Sequence, residues 1–574
     1  MKIVIVGGVA GGASTAARAR RLDESAEIVV LERDHYVSYA NCGLPYHISG
    51  VIPDREKLLV QTPQKLKDNL NLDVRVGHEV TDIDREAKTV QVHNLDTDET
   101  YRESYDKLVL SLGAAPIRPR LPGIDNPKIH VLRNIPDMDR IMATLGPQTR
   151  RAIVIGGGYI GVEVAENLVH RGMDVYLVEM MHQIMATLDH EMAQDLEYHL
   201  EEHGVKLHLG TAATSFEDVD GAIQALLSNG ETLTADLVVM AVGVRPNTEL
   251  AKKAGLPVGP RGGLLTNKHM QTEDPDIFAV GDMVETEHVV TEEPMLAALA
   301  GPANRQGRIA ADNICSKGST YRGTQGTAIV KIFDMVGGGT GASERQLRQA
   351  NLPYCKVYLH PSGHATYYPG TAAMHIKVLF HADDGRLLGA QVVGFDGVDK
   401  RIDVFATALR AGLTVFDLEH LELAYAPPFG SAKDPVNMAG FLGSNLLRGD
   451  HRMWYPEEYP EKTNLGTILD VRTPKEYEEW HIPGALNIPL QELRDRISEI
   501  PQNTPIFVHC RVGFRGYLAY RILVQKGFDH VFNLSGGALT FSSFHPTVYS
   551  TGKPDYPFVA HAEDVMAEQV LAEA

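Results

Sequence analysis

The sequence predicts an α/β protein built on parallel sheets, from three observations. Twice, near residues 3–18 and 152–168, an apolar strand pattern runs into a glycine turn and then into a helix rich in small or branched residues. Each of these units is followed by a second apolar strand that ends on an acid, Glu32 and Glu179. After about residue 446 the composition changes, and a new buried strand pattern leads through a short loop into another helix. At about 100–200 residues per domain, 574 residues hold three to five such domains.

Hydrophobic residues make up 44% and charged residues 22%, so each domain can bury a core of its own. The net charge of −20 argues against nucleic acid or an anionic membrane as a main partner. It leaves anionic small molecules open, since local basic patches survive in an acidic whole. No run of 18 apolar residues predicts a membrane span. Lys2 leads straight into Ile3-Val4-Ile5-Val6, which reads as a first strand and not a signal peptide. The four cysteines, Cys42, Cys315, Cys355 and Cys510, are too few for a disulfide scaffold. A reducing cytoplasm is therefore expected, and no metal site.

The first turn reads Gly7-Gly8-Val9-Ala10-Gly11-Gly12. Glycines let the backbone approach a pyrophosphate, and the helix N-terminus that follows stabilises its charge. Val9 replaces the middle glycine of G-x-G-x-x-G, but the strand Ile28-Val29-Val30-Leu31 ends in Glu32, placed to bind the ribose of an adenosine. The second turn has the full pattern, Gly156, Gly158 and Gly161, with Tyr159 and Ile160 inside it and Glu163 two residues on. Its second strand ends in Glu179. A carboxylate there repels a 2′-phosphate, and Met180, Met181 and His182 supply no arginine to hold one, so NADH is favoured over NADPH.

Two further strands end at a glycine: Leu108-Val109-Leu110-Ser111-Leu112-Gly113, and Ile277-Phe278-Ala279-Val280-Gly281, the latter followed by Asp282. This arrangement resembles the pyridine nucleotide–disulfide oxidoreductases over residues 1 to about 445. The resemblance implies FAD in the first, Rossmann-like site, NADH in the inserted second one, Asp282 on the ribityl chain, and Arg33, Gly113 and Gly243 as additional cofactor contacts. It also implies a homodimer. The expected domains are a discontinuous FAD-binding domain (1–115 and 246–321), an NAD-binding domain with connecting segments (116–245) and an α+β dimerisation domain (322–446). A linker (447–462), an α/β sulfur-handling domain (463–560) and an acidic tail (561–574) would follow.

Cys42 lies about ten residues after Glu32, where that family places its redox sulfur over the flavin. No second cysteine is near, so a sulfenic acid, a persulfide or a mixed disulfide must serve. The stretches Asn41-Cys42-Gly43-Leu44-Pro45-Tyr46, His364-Ala365-Thr366-Tyr367-Tyr368-Pro369-Gly370 and Ala424-Tyr425-Ala426-Pro427-Pro428 resemble coenzyme A-disulfide reductases. That resemblance implies that Tyr367 and Tyr425 reach the cysteine of the other subunit, where a phenol can protonate a leaving thiolate. Ser14, Arg18 and Arg21 share one helical face by spacing. The resemblance implies a coenzyme A site at Arg21, Ser38, Asn41 and Lys433, to which Ser14 and Arg18 on that face, and Asn304, are added. The single-cysteine NADH oxidases and peroxidases, the nearest rivals, carry a histidine in the first glycine turn, where this chain has Val9-Ala10.

The last part, with Asp470-Val471-Arg472-Thr473-Pro474-Lys475-Glu476-Tyr477, His481-Ile482-Pro483-Gly484-Ala485 and Ile506-Phe507-Val508-His509-Cys510, resembles the rhodanese domain. Its loop, Cys510-Arg511-Val512-Gly513-Phe514-Arg515, leads into a helix. Successive N–H groups at a helix start form an anion nest that stabilises a thiolate or a persulfide. Tyrosine phosphatases need arginine six residues after the cysteine, and Gly516 stands there. Cys315 and Cys355 read as structural thiols. The expected activity is NADH-dependent, FAD-mediated reduction of a persulfide or polysulfide, with coenzyme A persulfide favoured, through Cys42. Thiol and hydrogen sulfide are the products, and Cys510 handles sulfane sulfur. The alternatives are a coenzyme A-disulfide reductase, an NADH oxidase or peroxidase, and a flavoprotein redox sensor.

Overall fold

Lys2–Val6 is the central strand of a five-stranded parallel sheet in the order Ile277–Ala279, Lys107–Leu110, Lys2–Val6, Glu27–Glu32, Asp73–Val76. The computed structural model describes residues 1–549, and the acidic tail expected at 561–574 lies outside them, as does the end of the expected rhodanese domain. Two units make up the described chain: Met1–Ile184 with His203–Thr324, and Met185–Glu202 with residues 325 onward.

In the first unit, Ile3, Val4 and Ile5 are all fully buried, although neighbouring side chains on a strand point to opposite faces. A parallel sheet buried on both faces therefore reads as an unbroken apolar run. The helix Ala10–Leu22 packs along the helix Ala300–Ile314. Gly307 permits that approach, since a Cβ there would lie 2.4 Å from the carbonyl oxygen of Gly11. A second parallel sheet, in the order Lys206–Leu209, Asp174–Glu179, Arg151–Ile155, Leu237–Met240, Ile129–Val131, repeats the plan. Two short antiparallel strands, Ala114–Pro116 and Val244–Pro246, carry the chain out to this sheet and back.

The second unit holds an antiparallel sheet and a parallel one. The antiparallel order is Ala328–Ile332, Met335–Gly341, Leu387–Gly394, Met374–His381, Tyr354–Leu359. The helix His190–Glu202 sits against its glycine run, where a Cβ on Gly337 would lie 2.7 Å from Leu196. Lys377 is wholly buried in this region, with its Nζ 2.8 Å from Asp189, 2.6 Å from Glu191 and 2.7 Å from Glu344. The three carboxylates outweigh the cost of burying the cation and hold it protonated well above the usual lysine range.

The parallel sheet runs Met453–Trp454, Val531–Leu534, Ile506–His509, Thr467–Asp470, Leu486–Asn487. The segment expected as a linker, 447–462, thus contributes an edge strand. Trp454 is fully buried there and its indole N–H donates to the carbonyl of Val508 at 3.1 Å. Several polar contacts join the two sheets: Tyr358 N–H to Ser535 Oγ at 3.1 Å, His360 Nε2 with Thr540 Oγ1 at 2.8 Å, Tyr455 Oη to the carbonyl of Lys356 at 2.9 Å, and Lys356 with Glu457. Among the described residues no helix is long and apolar enough to cross a membrane.

Candidate active site

Gly7 takes a left-handed φ of +99°, and a Cβ on it would lie 2.2 Å from the carbonyl oxygen of Ser111. Gly12 is closed just as tightly, its Cβ position 1.8 Å from the carbonyl oxygen of Gly7. The N–H of Gly8 donates to Glu32 at 2.7 Å, and burial raises that carboxyl. The second turn repeats this construction. Gly156 has a φ of +109°, Gly161 packs on the Gly156 carbonyl, and the N–H of Gly157 donates to Glu179 at 2.7 Å. Gly158 differs, because nothing lies within 4 Å of its Cβ position. The middle glycine faces open space, which is why Val9 is accommodated at the matching place in the first turn.

Neither helix that follows has a side-chain cap; Val9 and Gly158 stand at the N-cap positions of Ala10–Leu22 and Tyr159–His170. The first N–H groups of both helices are thus left for an anion, which fits the pyrophosphates of FAD and of NADH. Gly113 and Gly243 both have positive φ, and Arg33 is exposed and 3.7 Å from Glu79. Asp282 lies just beyond the strand Ile277–Ala279, and burial raises its carboxyl. Tyr159 is half-buried and Ile160 exposed at the mouth of the second turn.

Cys42 occupies a single helical turn, Asn41–Gly43, which leads directly into the helix Leu44–Ser49. The residue is exposed and the thiol is free. Partial desolvation of the thiolate, and after it the negative charges of Glu163 and Asp282, push Cys42 up. Tyr46, one turn on, brings its hydroxyl to 3.5 Å from Glu163 Oε1. Glu163, half-buried, is itself pushed up to about 7, by desolvation first and by Glu166 second. The place of Tyr46 was open to the sequence, four residues after Cys42 on a helix, but its partner lies 117 residues away.

The proposed coenzyme A residues separate into two groups in the first unit. Ser14 donates to Asn304 at 2.6 Å, and Arg18 pairs with Asp312 at 2.7 Å. Both therefore face the helix Ala300–Ile314, whereas Arg21 is exposed at the far end of their helix. Ser38 has a φ of +45° and its N–H donates to the Gly8 carbonyl at 2.9 Å. Asn41 is exposed, with its amide donating to the carbonyl of Arg133 at 3.2 Å. In the second unit Lys433 is exposed.

Also in the second unit, the hydroxyls of Tyr367 and Tyr425 meet at 2.8 Å although 58 residues separate them. Both rings are exposed, 68% and 48%. Tyr425 lines a cleft of about 420 Å³ with Asp396, Lys400, Arg401 and Phe429. Tyr368 instead packs edge-on against His364.

The strand Ile506–His509 delivers Cys510, fully buried, to the loop before the helix Phe514–Gln525. Gly513 caps that helix at a φ of +101° and its N–H donates to Cys510 Sγ at 3.1 Å. Arg511, Val512 and Phe514 are half-buried around it. Arg515 is held bidentately by Glu476, at 2.6 and 2.8 Å, a partner that sequence reasoning had assigned no role. Although burial opposes it, Arg515 holds the Glu476 carboxyl down to about 2. Behind the cysteine, burial pulls His509 down to about 4 against the pull of Asp470, so the imidazole is neutral at physiological pH. Cys315 and Cys355 are partly buried free thiols, both pushed up by desolvation.

Three family models match the chain: pyridine nucleotide-disulphide oxidoreductase over residues 1–303, its dimerisation domain over 327–435, and a rhodanese-like domain over 455–543. A coenzyme A disulfide reductase from Staphylococcus epidermidis is 36% identical over 442 residues, which is 77% of this chain and 99% of the relative. The crystal structure of reduced Bacillus anthracis CoADR-RHD is similar with a TM-score of 0.93 at 47% identity, covering 96% of this chain and 99% of that one. The NAD-dependent persulfide reductase of A. fulgidus gives 0.89 at 36% identity, over 94% and 100%. A water-forming NADH oxidase from Lactobacillus brevis gives 0.75 at 28%, over 78% and 99%.

Proposed function

This chain belongs to the pyridine nucleotide-disulphide oxidoreductases and carries a rhodanese-like domain after its dimerisation domain, and on that premise we propose that it is an NADH-dependent persulfide reductase acting on coenzyme A persulfide. One observation carries the reading: an exposed thiol at Cys42 shares its unit with two acid-closed glycine turns, and the same chain holds Cys510 in a loop whose Gly513 N–H donates to its sulfur. FAD, when bound, relays the electron pair of NADH to sulfur. Gly7, Gly8, Gly11, Gly12, Glu32 and Asp282 hold it; Gly156, Gly158, Gly161 and Glu179 hold the nicotinamide nucleotide.

The Cys42 thiolate attacks the sulfur–sulfur bond of the substrate, forming a mixed disulfide with the carrier thiol and releasing hydrosulfide. Two electrons then split that mixed disulfide. The sum is RSSH + NADH + H⁺ → RSH + H₂S + NAD⁺, balanced in atoms and charge. Tyr367 and Tyr425, already hydrogen-bonded to one another, are the proton donors for the departing thiolate. In the homodimer they serve the Cys42 of the second copy. Ser14, Arg18, Arg21, Ser38, Asn41, Asn304 and Lys433 bind coenzyme A. Cys510 accepts sulfane sulfur from a donor and passes it on. The four free cysteines support a cytoplasmic location.

Two observations weigh against the rivals. Simple coenzyme A-disulfide reduction leaves the Cys510 loop without use, and peroxide or oxygen reduction lacks the histidine expected in the first glycine turn. Anaerobic NADH oxidation, compared on coenzyme A persulfide, polysulfide and coenzyme A disulfide with sulfide assayed alongside, tests the reading. Fast turnover with stoichiometric sulfide is expected. Turnover on coenzyme A disulfide alone, or only once oxygen is admitted, refutes it.

A further inference from the structure

Two helices that begin at different functional features meet at one pair of side chains. The helix Leu44–Ser49 grows out of the Cys42 turn, and the helix Tyr159–His170 grows out of the second glycine turn. They pack on one another, and Tyr46 on the first reaches to 3.5 Å from Glu163 on the second. The charges that act most on the Cys42 thiol are carboxylates, Glu163 first and Asp282 second, and neither belongs to the cysteine's own segment. A thiolate at Cys42 and a carboxylate at Glu163 each disfavour the other, because two like charges close together in partly desolvated surroundings repel.

The other groups around the pair do not replace Glu163 in this role. Glu166, on the same helix, is buried and pushes Glu163 toward its neutral form. Glu179, at the end of the strand beside it, is tied to the N–H groups of Gly157 and Met181. Asp139, on the helix Ile135–Thr144 that packs against Leu44–Ser49, is taken up bidentately by Arg55. Asp282 feels Arg133. Glu163 is thus the acid that both touches the cysteine's helix and stands beside the nicotinamide turn.

We propose that Glu163 is the positioning residue that holds Cys42 back as a nucleophile: its carboxylate disfavours the thiolate, and Tyr46 couples their helices. With Glu163 neutral the Cys42 thiol ionises at lower pH, and with Glu163 charged it ionises at higher pH. Glu163 changes its charge near neutrality, within the physiological range. No bond is made or broken at Glu163; a proton is exchanged with solvent. The proposal deepens the reading of Cys42 as the reactive sulfur and rests on it.

The test is the pH profile of Cys42 alkylation by iodoacetamide in the reduced, FAD-loaded full-length enzyme, followed by peptide mass. In Glu163→Gln the profile moves to lower pH by about half a unit or more, making Cys42 roughly threefold more reactive at neutral pH. Glu163→Asp, which keeps the charge, returns the profile toward that of the parent. Tyr46→Phe gives a smaller shift in the same direction, since the hydroxyl favours the carboxylate form of Glu163, and it decides the matter if Glu163→Gln fails to load FAD. A Glu163→Gln profile that superimposes on the parent's at equal FAD content overturns the proposal. If Cys42 of the reduced parent resists alkylation throughout, the assignment of Cys42 as the reactive sulfur is what fails.

Discussion

Glu476 grips Arg515, the second residue of the helix Phe514–Gln525 that follows the Cys510 loop, through both of its oxygens, at 2.6 and 2.8 Å. The ion pair closes the side of the cysteine loop, and Thr473 locks the carboxylate further by a capping box. Because the folded carboxyl sits near 2, below its ordinary value, the pair's contribution is complete above the unfolded value and fades as pH falls toward 2. Glu476→Gln is therefore expected to lower stability by about 2 kcal/mol at neutral pH, and by much less near pH 3. Urea midpoints of parent and variant at the two pH values measure it.

Lys377 gives a sharper effect. Replacing it by Met removes the cation that joins Asp189, Glu191 and Glu344, leaving Lys356 and Arg348 on Glu344, and breaking a buried pair from one side costs about 3–5 kcal/mol. The thermal transition should fall accordingly. Adding Asp189→Asn to Lys377→Met should recover part of the loss, and calorimetry of the two variants checks both statements.

The two sulfur sites should separate by mutation. Cys42→Ser is expected to reduce NADH turnover on every sulfur substrate by roughly a thousandfold or more. Cys510→Ser should leave turnover on coenzyme A disulfide intact and abolish the transfer of sulfane sulfur to cyanide. Steady-state assays of the two variants on both reactions measure this directly.

On the proposed reading nucleotide choice rests on Glu179, which accepts from the N–H groups of Gly157 and Met181 at 2.7 Å and occupies the end of its strand. Glu179→Ala combined with Met180→Arg removes the repulsion and supplies a cation for a 2′-phosphate. The ratio of kcat/KM for NADPH to that for NADH should rise by about tenfold or more. An unchanged ratio would remove Glu179 from the specificity argument.

Much of the architecture was legible because its signals are local. Ile3-Val4-Ile5-Val6 and Ile153-Val154-Ile155 are unbroken apolar runs, as strands covered on both faces must be, and Glu32 and Glu179 end the neighbouring strands where the glycine turns need them. Cys510 was placed by the strand before it and the helix after it. What remained hidden depends on distance along the chain. Helical spacing put Ser14, Arg18 and Arg21 on one face, but only the fold shows that Ala300–Ile314 covers the first two and gives Arg18 to Asp312. The partners of Lys377 come from two segments more than thirty residues from it. Met453–Trp454 is too short to carry a period, so proline and charge around it read as a linker.

That edge strand bears on how such a fusion is inherited. Trp454 is spent inside the last sheet, while Lys356, Tyr358 and His360, on and just after an edge strand of the antiparallel sheet, are committed to Glu457, Ser535 and Thr540. A gene truncated anywhere in 447–462 would either tear the tryptophan from its sheet or bare a polar seam on the domain left behind. The rhodanese-like end is consequently not a detachable module, and recombination that swapped it for a homologous domain would have to exchange the facing strand Tyr354–Leu359 as well.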